Sequence, residues 1–363
     1  MEAPPETTPS PIRLIRVPES FANLESDLFQ SLGATVTRKL GRNYRLVRLT
    51  DPTQAPPPDL AGFISWNLPV HHSWPCNPRN TDGFIEHAAQ ALAAKFSASN
   101  PQTVLVGALD PGSPNRYYRS LASNLRGRLL QLFPDHCSRL REATDQNPSL
   151  PTLFCHVGNE GLFCGLQSPR QSGGFHPGGT RFIRQSDAQT ISRAGAKLAE
   201  ALHHLQLHQS PPAAGSHWLE LGASPGGMTT ELLRRNYRVT AIDRAPLDPR
   251  LTGTSNTLTT IIADAASFHP APGTSYDALL CDMNGSALDS IRQVLRLAKF
   301  LHPGAPAIFT LKLPGANTLD EINQLSRTVI RTAAAGGLNL IAKVHLTYNR
   351  HEFTLFLQPS SGS

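Results

Sequence analysis

A lysine near the end of an apolar segment is the residue whose position most needs a chemical explanation. Lys312 lies in Ala307–Pro314, where apolar neighbours predict a strand and where a charged amine is costly to bury. Such a side chain either reaches water from an edge strand or takes part in chemistry. The chain has six lysines against 27 arginines, which disfavours a generic surface role. Another of the six, Lys197, lies where a helix is predicted to open, and Glu352 lies at the start of the last predicted strand.

A glycine-rich run joins a predicted strand to a predicted helix. The run His217–Thr229 reads HWLELGASPGGMT and contains Gly222, Gly226 and Gly227. Glycines let a backbone approach a ligand closely, and the first N–H groups of a helix can face a carboxylate or phosphate. The spacing is neither the dinucleotide fingerprint nor the P-loop. Taken alone, the run indicates either a ligand-binding turn or an ordinary strand-to-helix turn.

Carboxylates follow the strands that come next in the chain. Asp243 ends a predicted strand about twenty residues after the glycines, the distance at which doubly wound folds bind a ribose. Asp264 and Asp282 end the third and fourth predicted strands. The carboxyl ends of parallel strands meet at one rim, so the pattern predicts a ligand site there. For each acid, a helix N-cap or a solvated turn is the alternative.

Composition sets limits on the partners. The 363 residues are enough for two or three domains, and the net charge of +6 favours a polyanionic partner. Charged residues make up 17%, so the basic character must be local. Two basic runs, Arg38–Arg48 and Arg116–Arg128, could contact phosphates, and Tyr117 or Tyr118 could stack on a base. A solvated basic face is the alternative for each run.

Cysteine spacing and hydropathy point to the compartment. The five cysteines form no close pair and no zinc spacing, and they stand at positions 76, 137, 155, 164 and 281. This odd count, without a recognisable signal peptide, favours a reducing cytoplasm. No apolar stretch approaches the roughly 18 residues that span a membrane. We therefore expect a cytoplasmic protein with no metal site and no membrane partner.

The elements before the glycine run form two predicted units. Residues 1–76 are predicted as an α+β, ferredoxin-like unit, with strands at Ile12–Val17, Tyr44–Leu49 and Phe63–Leu68 and a helix at Ser20–Leu32. Residues 77–167 are predicted to hold helices Asp82–Phe96 and Tyr118–Phe133, a strand Thr103–Leu109, and a hairpin of Leu153–Val157 with Leu162–Leu166. A Gly/Pro/Ser-rich linker over 168–185 then leads to an α/β domain over 186–363.

The motifs carry a resemblance to a known family. The α/β half resembles FtsJ-type RNA ribose 2′-O-methyltransferases, and within them the bacterial RlmM group, which modifies a cytidine of 23S ribosomal RNA. The matching segments are Ser192–Leu198, Leu221–Gly227, Cys281–Met283, Leu311–Pro314 and Arg350–Thr354. The wider resemblance covers residues 186–358, and that to the RlmM group extends upstream through Gly178–Phe182. The order of elements over 77–167 resembles the THUMP-type RNA-binding region that precedes the catalytic domain in that group.

The resemblance implies a Rossmann-like domain that uses S-adenosylmethionine. It places the Lys-Asp-Lys-Glu tetrad of the family on Lys197, Asp282, Lys312 and Glu352. It also implies a set of cofactor-binding residues, with Asp243 on the ribose and Asp264 near the adenine. This set is Glu220, Gly222, Ala223, Ser224, Pro225, Gly226, Gly227, Met228, Asp243, Asp264 and Asp282. The chain departs from the family pattern at Glu220, where an aspartate is usual, at Met228, where a bulky aromatic is common, and at Ser224.

The residue types of the tetrad suit methyl transfer to a hydroxyl. An in-line displacement needs alignment of donor and acceptor and removal of a proton from a weak nucleophile. We expect Lys312 to be the base, with Lys197 close enough to lower its pKa toward about 7–8 and to position the hydroxyl. Asp282 and Glu352 would orient the two amines, with Asp282 beside the methyl. The alternative is a structural salt-bridge cluster on the sheet rim.

The expected function is therefore 2′-O-ribose methylation of RNA, with a cytidine of 23S ribosomal RNA as the target that the resemblance favours. One alternative keeps this chemistry and changes the substrate to transfer RNA or another RNA. A second alternative is an RNA-binding ribosome-assembly factor whose methyltransferase domain is inert. We expect a monomer, because no coiled-coil pattern or obvious apolar patch predicts self-association.

Overall fold

The computed structural model describes residues 10–179, 191–251 and 256–360. It divides the chain into two compact units, Met1–Arg181 and Phe182–Ser363. Part of the upstream segment 178–182, on which the extended resemblance rests, lies outside the described residues.

The first unit begins with a small antiparallel sheet. Its elements are β1 (Ile12–Arg16), α1 (Glu25–Ser31), β2 (Ala34–Leu40), β3 (Tyr44–Leu49) and β4 (Trp66–Pro69). The strand order is β2-β3-β1-β4, with antiparallel neighbours throughout, which agrees with the split βαβ arrangement of ferredoxin-like units. The predicted helix over 20–32 divides into two elements, a 3₁₀ segment at Glu19–Leu24 and α1. Inside the 3₁₀ segment, the backbone dihedral angles of Phe21 are not helical.

A second sheet completes this unit. Its elements are β5 (His72–Trp74), α2 (Phe84–Phe96), β6 (Val104–Ala108), α3 (Tyr117–Leu132), β7 (Thr152–Gly158), β8 (Gly161–Gln167) and the short α4 (Pro169–Ser172). The strand order is β5-β8-β7-β6. Helices α2 and α3 bury their apolar faces against this sheet, as the 3.6-residue periodicity of both segments predicts.

The predicted boundary after residue 76 does not separate two compact units. Strand β5 comes from the first predicted unit but pairs with β8 in the second sheet. The two sheets also share a core in which the rings of Trp66 and Phe154 lie 5.0 Å apart. Each four-stranded sheet has an apolar face that a sheet of this size cannot bury alone, so the two faces cover each other.

The first part of the predicted linker is folded. Residues 169–172 form α4, and the buried Phe175 accepts a hydrogen bond through its carbonyl from Gln146 Nε2 at 2.8 Å. Arg16 donates to the Gly178 carbonyl at 2.9 Å. Residues 168–179 therefore belong to the first unit, and 180–185 lie outside the described residues. Glycine and proline here serve compact turns, which composition alone does not distinguish from a flexible joint.

The second unit is a doubly wound α/β domain. Its strands are β9 (His217–Leu221), β10 (Arg238–Asp243), β11 (Leu258–Ile262), β12 (Ala278–Cys281), β13 (Ala307–Lys312), β14 (Leu338–Val344) and β15 (Glu352–Pro359). Its helices are α5 (Ala194–Leu205), α6 (Gly227–Arg234), α7 (Ala287–Ala298) and α8 (Leu319–Ala335). The strand order is β11-β10-β9-β12-β13-β15-β14, with β15 antiparallel to both neighbours and the first five strands parallel. The predicted mixed α/β fold with a Rossmann-like domain is thereby confirmed.

The strand order reverses between β9 and β12, and this reversal fixes where a ligand can bind. The chain winds outward from β9 in one direction and from β12 in the other, so a crevice opens at the carboxyl ends of these two neighbours. Strand β9 is buried on both faces, since Trp218, Leu219 and Leu221 are fully covered. Helix α8 begins at a capping box between Thr318 and Glu321, which fixes the chain after β13.

Candidate functional site

Two lysines and two carboxylates from four separate elements meet at the rim of the α/β sheet. Lys197 Nζ lies 3.1 Å from Asp282 Oδ1 and 2.7 Å from Glu352 Oε1. Lys312 Nζ lies 3.0 Å from Asp282 Oδ1 and 2.6 Å from Glu352 Oε2. Each amine therefore contacts both acids, and the four side chains form a closed ring of ion pairs. We call these four residues the tetrad.

The fold explains why residues so far apart in sequence converge. Asp282 follows β12 and Lys312 ends β13, the next strand in the sheet. Lys312 and Glu352 are direct partners in the antiparallel pairing of β13 with β15, so their side chains lie on the same face. Lys197 reaches the rim from α5.

Burial distinguishes the two amines. The side chain of Lys197 is 7% exposed, and that of Lys312 is 24% exposed. Lys197 is therefore enclosed among the protein's own groups, whereas a molecule approaching from solvent can reach Lys312.

Electrostatics overturn one expectation from the sequence. Burial works against the charge on Lys312, but Asp282 and Glu352 outweigh it and raise the pKa of this amine above its ordinary value. Burial likewise opposes the charge on Asp282, and the two lysines outweigh it and lower the pKa of that carboxyl. The expected lowering of the Lys312 pKa by Lys197 was wrong for this state. Two adjacent carboxylates compensate the two cations, and sequence motifs do not reveal such distances.

A third acid, Glu220, lies near the end of β9. It is 1% exposed, and its Oε2 accepts a hydrogen bond from Thr229 Oγ1 at 2.7 Å. Burial raises the pKa of Glu220 to about 8, with smaller raising contributions from Asp282 and Asp243. Among the residues that the structure describes, no lysine or arginine forms an ion pair with it.

The glycine turn makes close contacts within the protein. A Cβ on Gly222, whose φ is +79°, would lie 2.9 Å from the backbone of Asp282, so only glycine lets the turn approach the strand end that carries this tetrad member. A Cβ on Gly227 would overlap the Ser192 side chain. From the sequence, we expected these glycines to let the backbone approach a ligand. In the structure the backbone of β12 and the segment before α5 occupy them, and a ligand-binding role for the turn stays a prediction.

The other predicted cofactor residues between Gly222 and Met228 lie in the turn itself. Ala223 and Met228 are buried, the bond between Ser224 and Pro225 is cis, and Ser224 Oγ donates to the Pro246 carbonyl at 3.0 Å.

Asp243 and Asp264 follow the neighbouring strands β10 and β11. The Asp243 carboxylate accepts from the backbone N–H groups of Ser224 at 3.0 Å and Ala245 at 2.9 Å, so it organises the turn. Asp264 is half exposed, caps the N–H of Ala266 and lies 3.5 Å from Arg244. Both acids therefore have local structural partners, as the turn alternative anticipates, and their contact with a cofactor stays a prediction.

Two residues at the site were not identified from the sequence. Thr229 holds the Glu220 carboxylate, and its place two residues after the double glycine, at the start of α6, was the available signal. Asn349 is buried, and its Nδ2 donates to the Glu352 carbonyl and to Thr354 Oγ1, both at 3.3 Å. It therefore supports the strand segment that carries Glu352. A buried asparagine between strands has no distinctive sequence pattern.

The two predicted basic runs are partly used for structure. Arg45 is buried and forms a bidentate pair with Glu25 at 2.6 and 2.9 Å, and Arg128 does the same with Glu86. Four basic side chains of the first run remain exposed, namely Arg38, Lys39, Arg42 and Arg48. In the second run, Tyr117 lies beneath the Arg79 guanidinium and the Tyr118 hydroxyl donates to Asn77.

The described residues also bear on metal ions, disulfides and membranes. Within the described ranges, no cluster of three or more His, Cys, Asp or Glu side chains could hold a metal ion. The five cysteines are free thiols. Among the same residues, no helix combines the length and hydropathy needed to cross a membrane.

Comparisons with known proteins place the site in a family context. Residues 190–327 match the family of FtsJ-like methyltransferases. Similar curated proteins carry the name Ribosomal RNA large subunit methyltransferase M. The protein from Shewanella loihica is 30% identical over 231 residues, covering 60% of this chain and 61% of the relative. The one from Shewanella amazonensis is 32% identical over 220 residues, covering 57% and 58%. The one from Halorhodospira halophila is 36% identical over 171 residues, covering 46% of each.

These relatives are matched over part of their length, because the chain covers 46% to 61% of each. The family match contains three tetrad members, the glycine turn and the acids at the strand ends. The resemblance to FtsJ-type methyltransferases of the RlmM group, which the motifs predicted, is thereby confirmed.

Proposed function

We propose that this protein transfers a methyl group from S-adenosylmethionine to a ribose 2′-hydroxyl of RNA. The observation that carries the proposal is the convergence of Lys197, Asp282, Lys312 and Glu352 beside the glycine turn. Gly222 contacts the backbone of Asp282, so a donor held at the turn and an acceptor held at Lys312 would be neighbours. Such adjacency is what an in-line displacement requires.

The residues around the turn fit the cofactor. Glu220 is a buried acid without a cationic partner among the described residues, and an α-ammonium group would supply the missing charge. Asp243, at the end of the adjacent strand, would bind ribose hydroxyls, and the residues 222–228 would line the donor side. When bound, the cofactor supplies a methyl group on a positively charged sulfur.

The acceptor side is proposed at Lys312. Its amine is the more exposed of the two lysines, so it would contact the incoming hydroxyl while Lys197 and both acids hold it in place. In the transfer, the ribose oxygen forms a bond to the methyl carbon and the sulfur–carbon bond breaks with its electrons on sulfur. The hydroxyl proton passes to the neutral amine of Lys312.

A neutral Lys312 is not the resting form of this site. Its raised pKa means that the amine is charged before substrates bind. A base role therefore requires that it lose a proton as the complex forms, and both the exclusion of water and a nearby cationic cofactor act in that direction. Because Lys312 must lose this proton, the rate of methyl transfer depends on pH.

The RNA is proposed to contact the first unit. We assign it the role of a THUMP-like RNA-binding region, supported by the order of its elements and by the exposed basic side chains of β2 and β3. A cytidine of 23S ribosomal RNA is the proposed target, supported by similarity to proteins named ribosomal RNA large subunit methyltransferase M.

The proposal is tested with purified protein, S-adenosylmethionine and unmodified bacterial 23S RNA. After digestion to nucleosides, mass spectrometry should detect new 2′-O-methylcytidine. Transfer RNA and a 16S transcript serve as matched substrates and should gain no mark. A methyl group on a base, or none on any of the three RNAs, would contradict the proposal. Another 2′-O-methylated nucleoside would retain the reaction and overturn the cytidine assignment.

A further inference from the structure

A cavity of about 650 Å³ lies in the first unit, outside the site described above. Its floor includes Arg13 on β1 and Asn67 on β4. Arg13 pairs with Pro69 and Ile15 pairs with Asn67, so these side chains share the sheet face opposite to that of Leu14 and Leu68. An adjoining cavity of about 240 Å³ has Arg13 and Asn67 in common with it. The larger cavity has the size of a small-ligand site, roughly 300–1,000 Å³.

Arg13 brings a positive charge to the cavity, and among the described residues no carboxylate forms an ion pair with it. Its Nε is buried without a hydrogen-bond partner, and its Nη1 reaches Gln167 Oε1 only at 3.5 Å, the limit of a hydrogen bond. Among the described residues that line the larger cavity, none is an aspartate or glutamate. The adjoining cavity, which Arg13 also lines, contains Asp51. A guanidinium with unused donors is suited to bind an anion, and a phosphate matches its planar fork.

The other polar groups of the cavity are uncharged and carry both donors and acceptors. Asn67 Oδ1 is buried without a partner, and Gln54 and Gln167 present amide groups to the same space. His71 Nδ1 accepts a hydrogen bond from the Leu166 N–H at 3.1 Å, so the Nε2 of the neutral ring carries the hydrogen. Burial, together with Arg13 and Lys95, lowers the pKa of His71 and keeps the ring neutral. Such groups can read the edge of a nucleobase.

We propose that this cavity binds one unpaired nucleotide of the substrate RNA, with its phosphate on Arg13 and the edge of its base on Asn67. The inference rests on the proposed function in one respect, namely that the substrate is RNA. An unpaired nucleotide is favoured over a duplex because a concave pocket admits a base that has left its stack, and because a paired base has its hydrogen-bonding edge occupied. The site would anchor RNA at a point separate from the methylated ribose.

The test measures the affinity of the full-length protein for unmodified 23S RNA, without cofactor, by filter binding. Arg13→Gln and Asn67→Leu should each weaken binding about tenfold, and Arg13→Gln should reduce the salt slope of binding by about one. Arg139→Gln is the matched control, because Arg139 is exposed in the same unit and outside the cavity. It should change affinity by less than about twofold. Thermal unfolding of every variant identifies any loss of the fold.

The outcomes separate this inference from the proposed function. Wild-type affinity in both cavity variants overturns the inference, even if the protein methylates RNA normally. If Arg13→Gln fails to fold, the Asn67→Leu result decides. Failure of the wild-type protein to bind RNA overturns both proposals, whereas RNA binding without methylation overturns the proposed function alone. Saturation-transfer NMR measures whether the free nucleotides AMP and CMP bind at the cavity. If they bind there while both variants retain RNA affinity, the cavity is not an RNA site, and the RNA assignment is overturned.

Discussion

The tetrad and Glu220 are two sets of buried ionisable groups at one rim of the same sheet, and their surroundings differ. In the tetrad, two amines and two carboxylates neutralise one another at 2.6–3.1 Å. Among the described residues, the Glu220 carboxyl is hydrogen-bonded by the hydroxyl and the backbone N–H of Thr229. The charges of the tetrad therefore balance before any ligand binds, whereas no lysine or arginine among the described residues pairs with Glu220. We propose that the tetrad is a preorganised reaction centre and that Glu220 is a binding group that a cationic ligand completes.

Breaking the ring of ion pairs should have the largest effect on stability. Lys197→Met leaves two buried carboxylates with one remaining cation, so the free energy of unfolding should fall by about 3–5 kcal/mol. Urea denaturation measures the loss. Arg292→Gln, which removes an exposed pair with Asp289, is the control and should cost less than about 1 kcal/mol. Equal small losses in both variants would show that the tetrad is not a tightly coupled cluster.

Removing the charge of Glu220 should change stability in the opposite direction at high pH. Its folded-state pKa, about 8, lies above the ordinary 4.5. As the pH rises between these values, the carboxyl ionises in the unfolded chain before it does in the folded protein, so the native state becomes progressively less stable. Glu220→Gln should match the wild type near pH 4.5 and be more stable at pH 9 by roughly 4 kcal/mol. Denaturant melts at both pH values measure this. Asp289→Asn, at an exposed position, should show no such pH dependence.

The proposed base predicts a steep pH profile for the methyl-transfer rate. Because the pKa of Lys312 is raised, the neutral amine is scarce at pH 7, and its population grows about tenfold per pH unit. The single-turnover rate with 23S RNA should therefore rise about 100-fold from pH 7 to pH 9. A rate that is flat across this range would mean that no raised-pKa base limits the reaction.

Cofactor binding should release a proton at pH 7, the smallest of these effects. With a pKa of about 8, Glu220 is mostly protonated at this pH, and an ammonium ion favours its ionised form. Calorimetry with S-adenosylhomocysteine in two buffers of different ionisation enthalpy should report release of about 0.9 proton per site. Glu220→Gln should release none. Equal proton release in both proteins would assign the linkage to another group.

Sequence patterns predicted the elements that form the site well, and the physical reason is local. Strands β9, β10, β12 and β13 are short, largely apolar segments. A charged residue lies at or directly after the end of β10, β12 and β13, and Gly222 follows β9, so their carboxyl ends can be located from the sequence of one chain. The convergence of Lys197 with Glu352 is not local, and it was expected only because the motifs resemble a family.

Other features depend on tertiary contacts and were missed. Strands β2, β5 and β14 were not predicted. Strand β2 is largely polar and exposed, β5 has only three residues, and the mostly apolar β14 lacks a strict alternation of apolar and polar residues. The state of Lys312 depends on two carboxylates from other segments, so spacing could not give the direction of its pKa shift. Arg13 and Asn67 become significant only because their strands are neighbours and leave Arg13 Nε and Asn67 Oδ1 without partners.

The central claim is that the tetrad is a reaction centre and not a structural salt-bridge cluster. The most direct test is single-turnover methyl transfer by Lys312→Ala, with RNA and cofactor affinities measured on the same preparation. We expect a rate at least about 100-fold below wild type with both affinities retained, because a general base is worth about 10²–10⁴ in rate. Lys299→Ala, an exposed lysine of the same unit, should keep the wild-type rate. A wild-type rate in Lys312→Ala would contradict the claim.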